Sequence, residues 1–316
     1  MLGEAKIVFK NRRSLCGAGI SEAGAAEAGA AETDGGKIGN AGCALLLGGF
    51  DGLHKGHETL LAAAKQTGLK VAAIAITGGK GAPIYTEAER DYIFAENGIS
   101  AVYPLKFAAI RDMSAAEFAC AVRDEIAPEV CFCGEDFRFG SGGKANGDDF
   151  ARLSGVPVRV LPVLKDAATG EKIGAEHIKA LLKNGDVSAA DKLLCGGFIL
   201  TGEVKKDRGI GATIGFPTAN IFYPENKTEL KKGVYETRAE VGGVTYKGIT
   251  NFGSRPTFGN DTVVTETHLI GFRGNLYGKT LTVRFVRYLR DVAAFKNAEE
   301  LTARLHADVK RVEEGK

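Results

Sequence analysis

The sequence predicts two domains of different class: an α/β domain with a mainly parallel sheet, then a small closed antiparallel β-barrel with a C-terminal helix. Three observations predict this. The chain has 316 residues, which is more than one hydrophobic core usually serves. Between Cys43 and Leu164, apolar runs of strand length alternate with helical segments, as in βαβ units. From Phe198 to Tyr288, apolar and polar residues alternate in short runs, which is typical of antiparallel strands with one solvated face.

The first domain is predicted to cover residues 1–184. Residues 17–40 are dominated by Ala, Gly and Glu, and they are interpreted as a low-complexity insertion without chemistry. The first strand, Ala44–Leu47, ends at Gly48-Gly49, and the helix His57–Lys65 follows it. The remaining predicted elements are strands at Leu69–Thr77, Glu129–Cys133 and Val156–Leu164, and helices that begin at the capping boxes Thr86/Glu89 and Ser114/Glu117.

The second domain is predicted to cover residues 185–316. Gly242-Gly243 supplies a two-residue hairpin turn between two of its strands. No helical pattern interrupts the strands until Ala298–Val312, where leucines and a valine recur at helical spacing. The predicted strands are Phe198–Lys206, Val234–Val241, Val244–Asn251, Val264–Gly271 and Leu281–Tyr288. Together they predict a small barrel.

Charge and composition argue against several classes of protein. Lys and Arg total 41 against 39 Asp and Glu, so the net charge of +2 gives no general case for nucleic acid or anionic membrane as a partner. Runs such as Val71–Ile76 are too short to span a bilayer, and the N-terminus does not resemble a secretory signal. Cys131 and Cys133 are interpreted as buried thiols, because zinc sites need paired ligand spacing. We expect a cytoplasmic protein, and its oligomeric state stays open.

A segment rich in glycine and histidine, GGFDGLHKGH, joins the first strand to the first helix. Glycines let the backbone approach a ligand, and a helix N-terminus presents unpaired N–H groups to an anion. His54 and His57 are placed to donate hydrogen bonds to phosphate oxygens in an in-line displacement. The alternative is a glycine-rich turn whose histidines cap a helix. The other residues assigned to phosphate binding here are Gly49, Phe50, Asp51 and Gly56.

This segment resembles the HxGH signature of the nucleotidylyltransferase superfamily, in the form found in bacterial bifunctional riboflavin kinase/FAD synthetases. Residues 134–140, GEDFRFG, resemble the family's GxDFxFG element. The resemblance implies a Rossmann-like fold of nucleotidylyltransferase type, with ATP as co-substrate and catalytic roles for His54 and His57. It also implies that Asp136 and Phe137 help to shape the flavin site.

Two segments depart from the family pattern. Residues 76–81, ITGGKG, lack the prolines and the histidine of an FxPHP-like element. Residues 173–179, IGAEHIK, stand where the family has ISSTxxR, which holds the triphosphate. Glu176 would repel a phosphate, whereas Lys179 keeps the positive charge without the arginine fork and is assigned to phosphate binding. His177 is expected to be a surface residue without a role.

The second domain contains GFPTAN at 215–220, which matches the GxPTAN element of riboflavin kinases. Thr218 and Asn220 are two residues apart, so on an extended segment both face one side and offer hard ligands for Mg²⁺. The alternative is an edge strand with polar residues facing solvent. The upstream glycine loop is suited to point backbone N–H groups at phosphates. Its residues assigned to ATP are Gly209, Gly211, Thr213 and Gly215.

Two later segments resemble the same family, NFGSRPTF at 251–258 and ETHLIGF at 266–272. The resemblance implies that Glu266 is the general base for the riboflavin 5′-hydroxyl, a role that suits a carboxylate because phosphoryl transfer mainly needs an oriented hydroxyl. Arg255 and Arg290 are assigned to flavin or phosphate contacts, with solvated strand-end charges as the alternative. His268 is expected to pack or form hydrogen bonds within the barrel.

The resemblance therefore implies phosphorylation of riboflavin to FMN by the second domain and adenylylation of FMN to FAD by the first. The expected partners are riboflavin, FMN and ATP, with Mg²⁺ as cofactor. Three alternatives stay open at this point. They are a riboflavin kinase whose first domain binds nucleotide or flavin without turnover, a non-catalytic flavin-binding protein, and a nucleotidylyltransferase for another phosphorylated acceptor.

Overall fold

The computed structural model describes residues 13–14, 42–79, 81–206, 210–257 and 260–315. They divide into two compact units. One unit contains the described residues up to Pro83 together with Arg90–His177, and the other contains Ile84–Glu89 and Ile178–Lys316. The predicted insertion at 17–40 and the phosphate-loop residue Gly209 lie outside the described residues. The predicted domain boundary at residue 184 remains a prediction.

The first unit is built on a six-stranded sheet. Its spatial order is β1-β4-β3-β2-β5-β6, with β1 antiparallel at the edge and the other five strands parallel. The strands are β1 (Arg13–Ser14), β2 (Cys43–Leu46), β3 (Lys70–Thr77), β4 (Ala101–Lys106), β5 (Val130–Gly134) and β6 (Val158–Leu161). Every residue of β2 is buried, as expected for a central strand of a parallel sheet that is covered on both faces.

Helices connect the strands of this sheet. They are α1 (Lys55–Lys65), α2 (Glu87–Glu96), α3 (Phe107–Ile110), α4 (Ala115–Ala121) with a π-helical turn at Val122–Ile126, a 3₁₀ turn at Ser141–Gly143, and α5 (Gly147–Ser154). Both predicted capping boxes are present, at Thr86/Glu89 and at Ser114/Glu117. Because β2 lies between β3 and β5, the direction of strand progression reverses at β2, and ligands bind at the carboxyl ends of the strands at such a point.

The second unit is an antiparallel barrel of six strands in the order β7-β12-β9-β10-β11-β8. An isolated bridge between Lys205 and Asn220 joins the ends of the two edge strands, and the N–H of Lys205 donates to the carbonyl of Asn220 at 2.9 Å. The strands are β7 (Phe198–Glu203), β8 (Ala219–Phe222), β9 (Gly233–Val241), β10 (Val244–Thr257), β11 (Asn260–Leu269) and β12 (Thr280–Arg290). The helices are α7 (Val187–Leu193), α8 (Ile210–Thr213), α9 (Ala298–Glu313) and the greater part of α6 (Ala175–Asn184), whose first three residues belong to the first unit.

The two faces of the barrel wall have different neighbours. Buried aromatic rings pack against one another on one face, among them Phe285, whose ring centroid is 5.4 Å from that of Tyr235. On the other face, Val312 of α9 packs against a cluster with Val234 and Ile249. The predicted fold class is therefore confirmed, including the C-terminal helix. The hairpin turn is confirmed as well, because Gly242 and Gly243 have φ of +61° and +74° between the paired ends of β9 and β10.

Two details of the second unit differ from the prediction. The short helix α8 interrupts the strands, and β8 is a strand that the alternating pattern did not indicate. A single helical turn and a four-residue strand are both too short to produce a recognisable periodicity.

A fully buried ion pair lies within the second unit. Lys227 Nζ binds the carboxylate of Glu89, and both side chains are at most 1% exposed. That carboxylate also accepts the backbone N–H of Thr201 at 2.8 Å, in addition to its capping bond with Thr86. The ammonium lies 4.7 Å from the centre of the Phe198 ring. A buried charge of this kind is stable only because it is paired and hydrogen-bonded.

Candidate active sites

The first candidate site lies in the connection from β2 to α1. Phe50 is buried with φ of +37°, a strained backbone conformation of the kind that concentrates at functional sites. Its ring centroid is 4.3 Å from that of His57. The carbonyl of Gly49 accepts the N–H of Ile76 at 2.9 Å, so the loop is tied to β3. His54 is the N-cap of α1, which places both histidines at the start of that helix.

The two histidines form a desolvated pair. Their ring centroids are 3.7 Å apart, and neither Nδ1 atom has a hydrogen-bond partner within the described part of the chain. Desolvation, followed by the positive charge of Lys172, lowers the pKa of His54 to about 4. Desolvation, together with the neighbouring His54, holds the pKa of His57 well below its ordinary value. Both imidazoles are therefore neutral at pH 7 and keep hydrogen-bonding capacity for a ligand.

Gly56 brings the altered segment at 173–179 against this site. A Cβ atom at Gly56 would lie 2.8 Å from the carbonyl oxygen of Ile173 and 3.0 Å from the His54 ring, so a side chain has no room there. Glycine at this position therefore permits close packing of the two segments.

Lys172 is a cation at this site that the sequence reasoning missed. Its ammonium forms an ion pair with the carboxylate of Asp136, which follows β5, and both side chains are about half exposed. Its charge also lowers the pKa of His54 and of His57, so it acts on the histidine pair. In the sequence, Lys172 stands immediately before the altered segment at 173–179, and it belongs to none of the motifs described above. Phe137, also assigned to the flavin, stacks on Phe139 at 5.5 Å.

The expectation that His177 is a surface residue is wrong, whereas its lack of a role in the chemistry stays a prediction. Its side chain is only 10% exposed, with Nε2 3.3 Å from Asp166 and Nδ1 2.6 Å from Glu171. The ring therefore ties the first turn of α6 to the segment that carries Lys172, within the first unit. Lys179 is buried and belongs to the second unit. Its assignment to phosphate binding stays a prediction.

The second candidate site is a row of three polar side chains across the barrel. Asn220 of β8 pairs with Glu266 of β11, and Glu266 pairs with Asn251 of β10, so all three lie on one face of the sheet. The amide of Asn251 donates to Glu266 Oε2 at 3.4 Å. Asn220 is buried, and its Oδ1 has no hydrogen-bond partner among the residues described. Thr218 lies half-buried just before β8.

The glycine loop closes onto the segment that leads into β8. The carbonyl of Gly211 accepts the N–H of Phe216 at 2.7 Å, and a Cβ atom at Gly211 would overlap the carbonyl oxygen of Phe216. Gly215 has φ of +85°, which favours glycine. Thr213 ends α8 and is exposed. The loop therefore lies directly upstream of Thr218.

Three further residues assigned in the barrel lie in different environments: Arg290, Arg255 and His268. Arg290 is bound to Asp308 of α9 by three hydrogen bonds of 2.7 to 3.2 Å. It is therefore part of a half-buried ion pair, not a solvated strand-end charge, and its contact with flavin or phosphate stays a prediction. Arg255 belongs to β10, but its side chain lies outside the described part. His268 packs as expected, with its ring centroid 5.1 Å from that of Phe216 and Nδ1 2.9 Å from the carbonyl of Pro217.

The cysteines behave as the sequence indicates. Cys131 and Cys133 are both buried on β5, and burial raises the pKa of the Cys133 thiol to about 11. Within the described ranges, no group of three or more His, Cys, Asp or Glu side chains is arranged to hold a metal ion. Over the same ranges, no helix has both the length and the apolar character to cross a membrane.

Comparisons with known proteins give a family for each of the two regions that carry these sites. Residues 37–174 match the FAD synthetase family and residues 196–315 match the riboflavin kinase family. A bifunctional riboflavin kinase/FMN adenylyltransferase of Haemophilus influenzae is 30% identical over 297 residues, covering 85% of this chain and 92% of the relative. One of the same description from Pseudomonas fluorescens is 28% identical over 294 residues, covering 85% and 91%. A solved structure described as a macrolide-efflux protein from Streptococcus pneumoniae has a TM-score of 0.77 and 25% identity, covering 87% of this chain and 94% of that chain.

A parallel α/β unit with a histidine pair at a strand-to-helix junction, joined to a kinase-type barrel, defines a two-domain transferase. The chain belongs to the family of bifunctional riboflavin kinase/FMN adenylyltransferases. The resemblance seen in the sequence is thereby confirmed, and the protein is an enzyme that uses ATP.

Proposed function

We propose that the second unit transfers the γ-phosphoryl group of ATP to the 5′-hydroxyl of riboflavin, giving FMN and ADP. The first unit then transfers the adenylyl group of a second ATP to the phosphate of FMN, giving FAD and pyrophosphate. The observation that carries the proposal is the row Asn220–Glu266–Asn251, because it sets a carboxylate beside a buried amide oxygen that lacks a described partner.

In the kinase site, Glu266 accepts the proton of the flavin hydroxyl as the new O–P bond forms. The amide of Asn251 holds one carboxylate oxygen at 3.4 Å and so orients the base. Backbone N–H groups of the loop that includes Gly211 and Gly215 bind the ATP phosphates. Phosphoryl transfer depends chiefly on such positioning and on charge stabilisation.

The residues present fit a magnesium ion. A buried amide oxygen without a described partner, on Asn220, is costly unless a ligand satisfies it. Together with the hydroxyl of Thr218 it forms a pair of hard oxygen donors of the kind that Mg²⁺ prefers. When bound, the ion supplies charge neutralisation at the ATP phosphates.

In the adenylyltransferase site, His54 and His57 are neutral and donate hydrogen bonds to the phosphate that undergoes substitution. Lys172 supplies a positive charge beside them. This charge supports activity of the first unit despite the carboxylate of Glu176. The N-terminus of α1 adds its unpaired N–H groups to the same site.

We also propose that the partners are small molecules only, in the cytoplasm. The near-neutral net charge of +2 supports this, because it provides no general electrostatic attraction to nucleic acid or to an anionic membrane.

A time course of flavin products tests the whole proposal. The full chain is incubated with riboflavin, ATP and Mg²⁺, and the flavins are separated by chromatography. We expect FMN first and FAD afterwards. Accumulation of FMN without FAD, even when FMN is supplied directly, would restrict the activity to the kinase. The variant Lys172→Met, compared with the exposed control Lys144→Met, is expected to raise the KM for ATP in FAD formation about tenfold, the size of one charge-assisted hydrogen bond.

A further inference from the structure

The segment between β6 and α6 folds back on itself as a hairpin, residues 164–173, which we call the hairpin arm. At its base the N–H of Ile173 donates to the carbonyl of Leu164 at 3.0 Å, and Lys165 and Lys172 form an antiparallel bridge. Its tip, residues 167–170, is exposed. A short exposed hairpin of this kind is marginally stable by itself, so its position depends on the contacts that it makes with the rest of the unit.

The hairpin arm brings two groups to the histidine pair. The ammonium of Lys172 binds the carboxylate of Asp136, and its charge lowers the pKa of His54. The carbonyl oxygen of Ile173 lies so close to Gly56 that a Cβ atom there would be 2.8 Å from it. The position of the arm therefore decides where the positive charge of Lys172 lies relative to the site.

His177, in the first turn of α6, contacts both strands of the hairpin arm. Its ring Nδ1 is 2.6 Å from the carboxylate of Glu171, and Nε2 is 3.3 Å from the carboxylate of Asp166. These two residues face each other across the arm, because the N–H of Asp166 donates to the carbonyl of Glu171 at 2.7 Å. One ring, only 10% exposed, thus joins the two strands of the arm to the start of a helix.

This geometry separates a positioning role from a role in the chemistry. Each ring nitrogen of His177 faces a carboxylate of the hairpin arm, so neither is directed at a phosphate. The two carboxylates would also repel a phosphate that approached the ring. A mobile arm, in contrast, would lose conformational entropy each time a ligand fixed Lys172, and an arm that is already held avoids that cost.

We infer that His177 is a positioning residue for the adenylyltransferase site, because it binds both strands of the hairpin arm and so holds Lys172 beside the histidine pair. The inference rests on the adenylyl transfer proposed above and adds to it a residue that does not touch the substrate. It concerns the binding of ATP, so the KM for ATP is the quantity that should respond.

A double-mutant cycle on the full chain tests the inference, with FAD formation from supplied FMN as the assay. His177→Ala is expected to raise the KM for ATP about tenfold, as Lys172→Met does, and to leave kcat nearly unchanged. The double variant should show no further rise, because both changes remove the same charge from the site. A rise of about a hundredfold in the double variant, or no rise in His177→Ala, would overturn the inference.

Glu171→Gln loosens the same contact from the side of the hairpin arm without leaving a cavity, so it decides the question if His177→Ala does not fold. We expect the KM for ATP to rise about threefold, because a neutral hydrogen bond is about half as strong as a charge-assisted one. Glu96→Gln is the matched control, since Glu96 is exposed at the end of α2, at the opposite edge of the sheet from the strands' carboxyl ends. An equal KM for ATP in the two variants would contradict the inference.

Hydrogen–deuterium exchange provides a readout that does not depend on activity. In His177→Ala, backbone amides of the hairpin arm should exchange faster, whereas those of α1 should exchange at the parental rate. Unchanged exchange in the arm, or faster exchange throughout the first unit, would count against a specific hold on the arm. If the parent forms no FAD from FMN, the proposed adenylyl transfer fails, and the exchange rates then decide whether His177 holds the arm.

Discussion

The two candidate sites are assembled by different means. In the barrel, Asn220, Glu266 and Asn251 come from three strands and are aligned by backbone register. In the α/β unit, His54 and Lys172 come from separate connections that follow strand ends. A register fixes each side chain to one position, so a lost residue has no neighbour that can replace it. A site made of loops can receive a charge from an adjacent segment, and Lys172 lies immediately before the altered segment at 173–179.

The variant Glu266→Gln offers the sharpest contrast between the two sites. FMN formation is expected to fall about 10²- to 10⁴-fold, the range for loss of a general base, because the amide cannot accept the proton. FAD formation from supplied FMN should stay at the parental rate. Separate assays of the two half-reactions check this. A matching loss in both would contradict independent sites, and an unchanged FMN rate would remove Glu266 from catalysis.

The variant Lys227→Met is expected to destabilise the second unit, which contains the buried pair. It leaves the carboxylate of Glu89 buried without its cation, which costs about 3–5 kcal/mol. Thermal inactivation of FMN formation should shift to lower temperature.

The double variant Glu89→Gln/Lys227→Met serves as its control. It removes both charges, so much of the lost stability should return. If Lys227→Met alone has no effect on thermal inactivation, the pair is not buried as described.

The variant His54→Ala is expected to have the opposite selectivity to Glu266→Gln, because it acts on FAD formation and not on FMN formation. It removes one donor to the reacting phosphate, so FAD formation is expected to fall about 10²- to 10³-fold while FMN formation continues. The exposed His306 of α9 provides a matched control, since His306→Ala should leave FAD formation unchanged. FAD formation by His54→Ala at the parental rate would show that the histidine pair has a structural role only.

The stability of the first unit should depend on pH through the same histidine. The pKa of His54 falls from 6.5 to about 4 on folding, so between these values the unfolded chain binds a proton that the folded chain does not. Stability therefore rises with pH in this window and is lost as pH falls below about 6.5, by about 2 kcal/mol at pH 5. Denaturant unfolding at pH 7.5 and pH 5 measures this. His54→Ala should reduce the difference, and a parent without any difference would contradict the low pKa.

Much of the fold was predictable because its signals are local. The alternation of strands and helices, the capping boxes and the Gly242-Gly243 turn each depend on neighbouring residues, and each was found as predicted. Glu266 and Asn220 were found through motifs, but their pairing depends on strand register, which the sequence does not state.

Other features depend on tertiary contacts, so no local pattern indicates them. Lys172 is a single exposed lysine until the fold sets it beside Asp136 and the histidine pair. The sequence predicts His177 to be a surface residue because the partners of its ring, Asp166 and Glu171, lie outside α6, in the segment before it.

The buried pair of Glu89 and Lys227 constrains the order in which segments of the chain can fold during synthesis. The two residues are 138 positions apart, so on the ribosome Glu89 emerges long before its counter-charge exists. Until then its carboxylate must remain in water, since an unpaired charge is not buried. The segment Ile84–Glu89 therefore cannot pack into a core until residues beyond Ile178 have been synthesised. A gene shortened to begin at residue 185 would encode the barrel without this partner for Lys227.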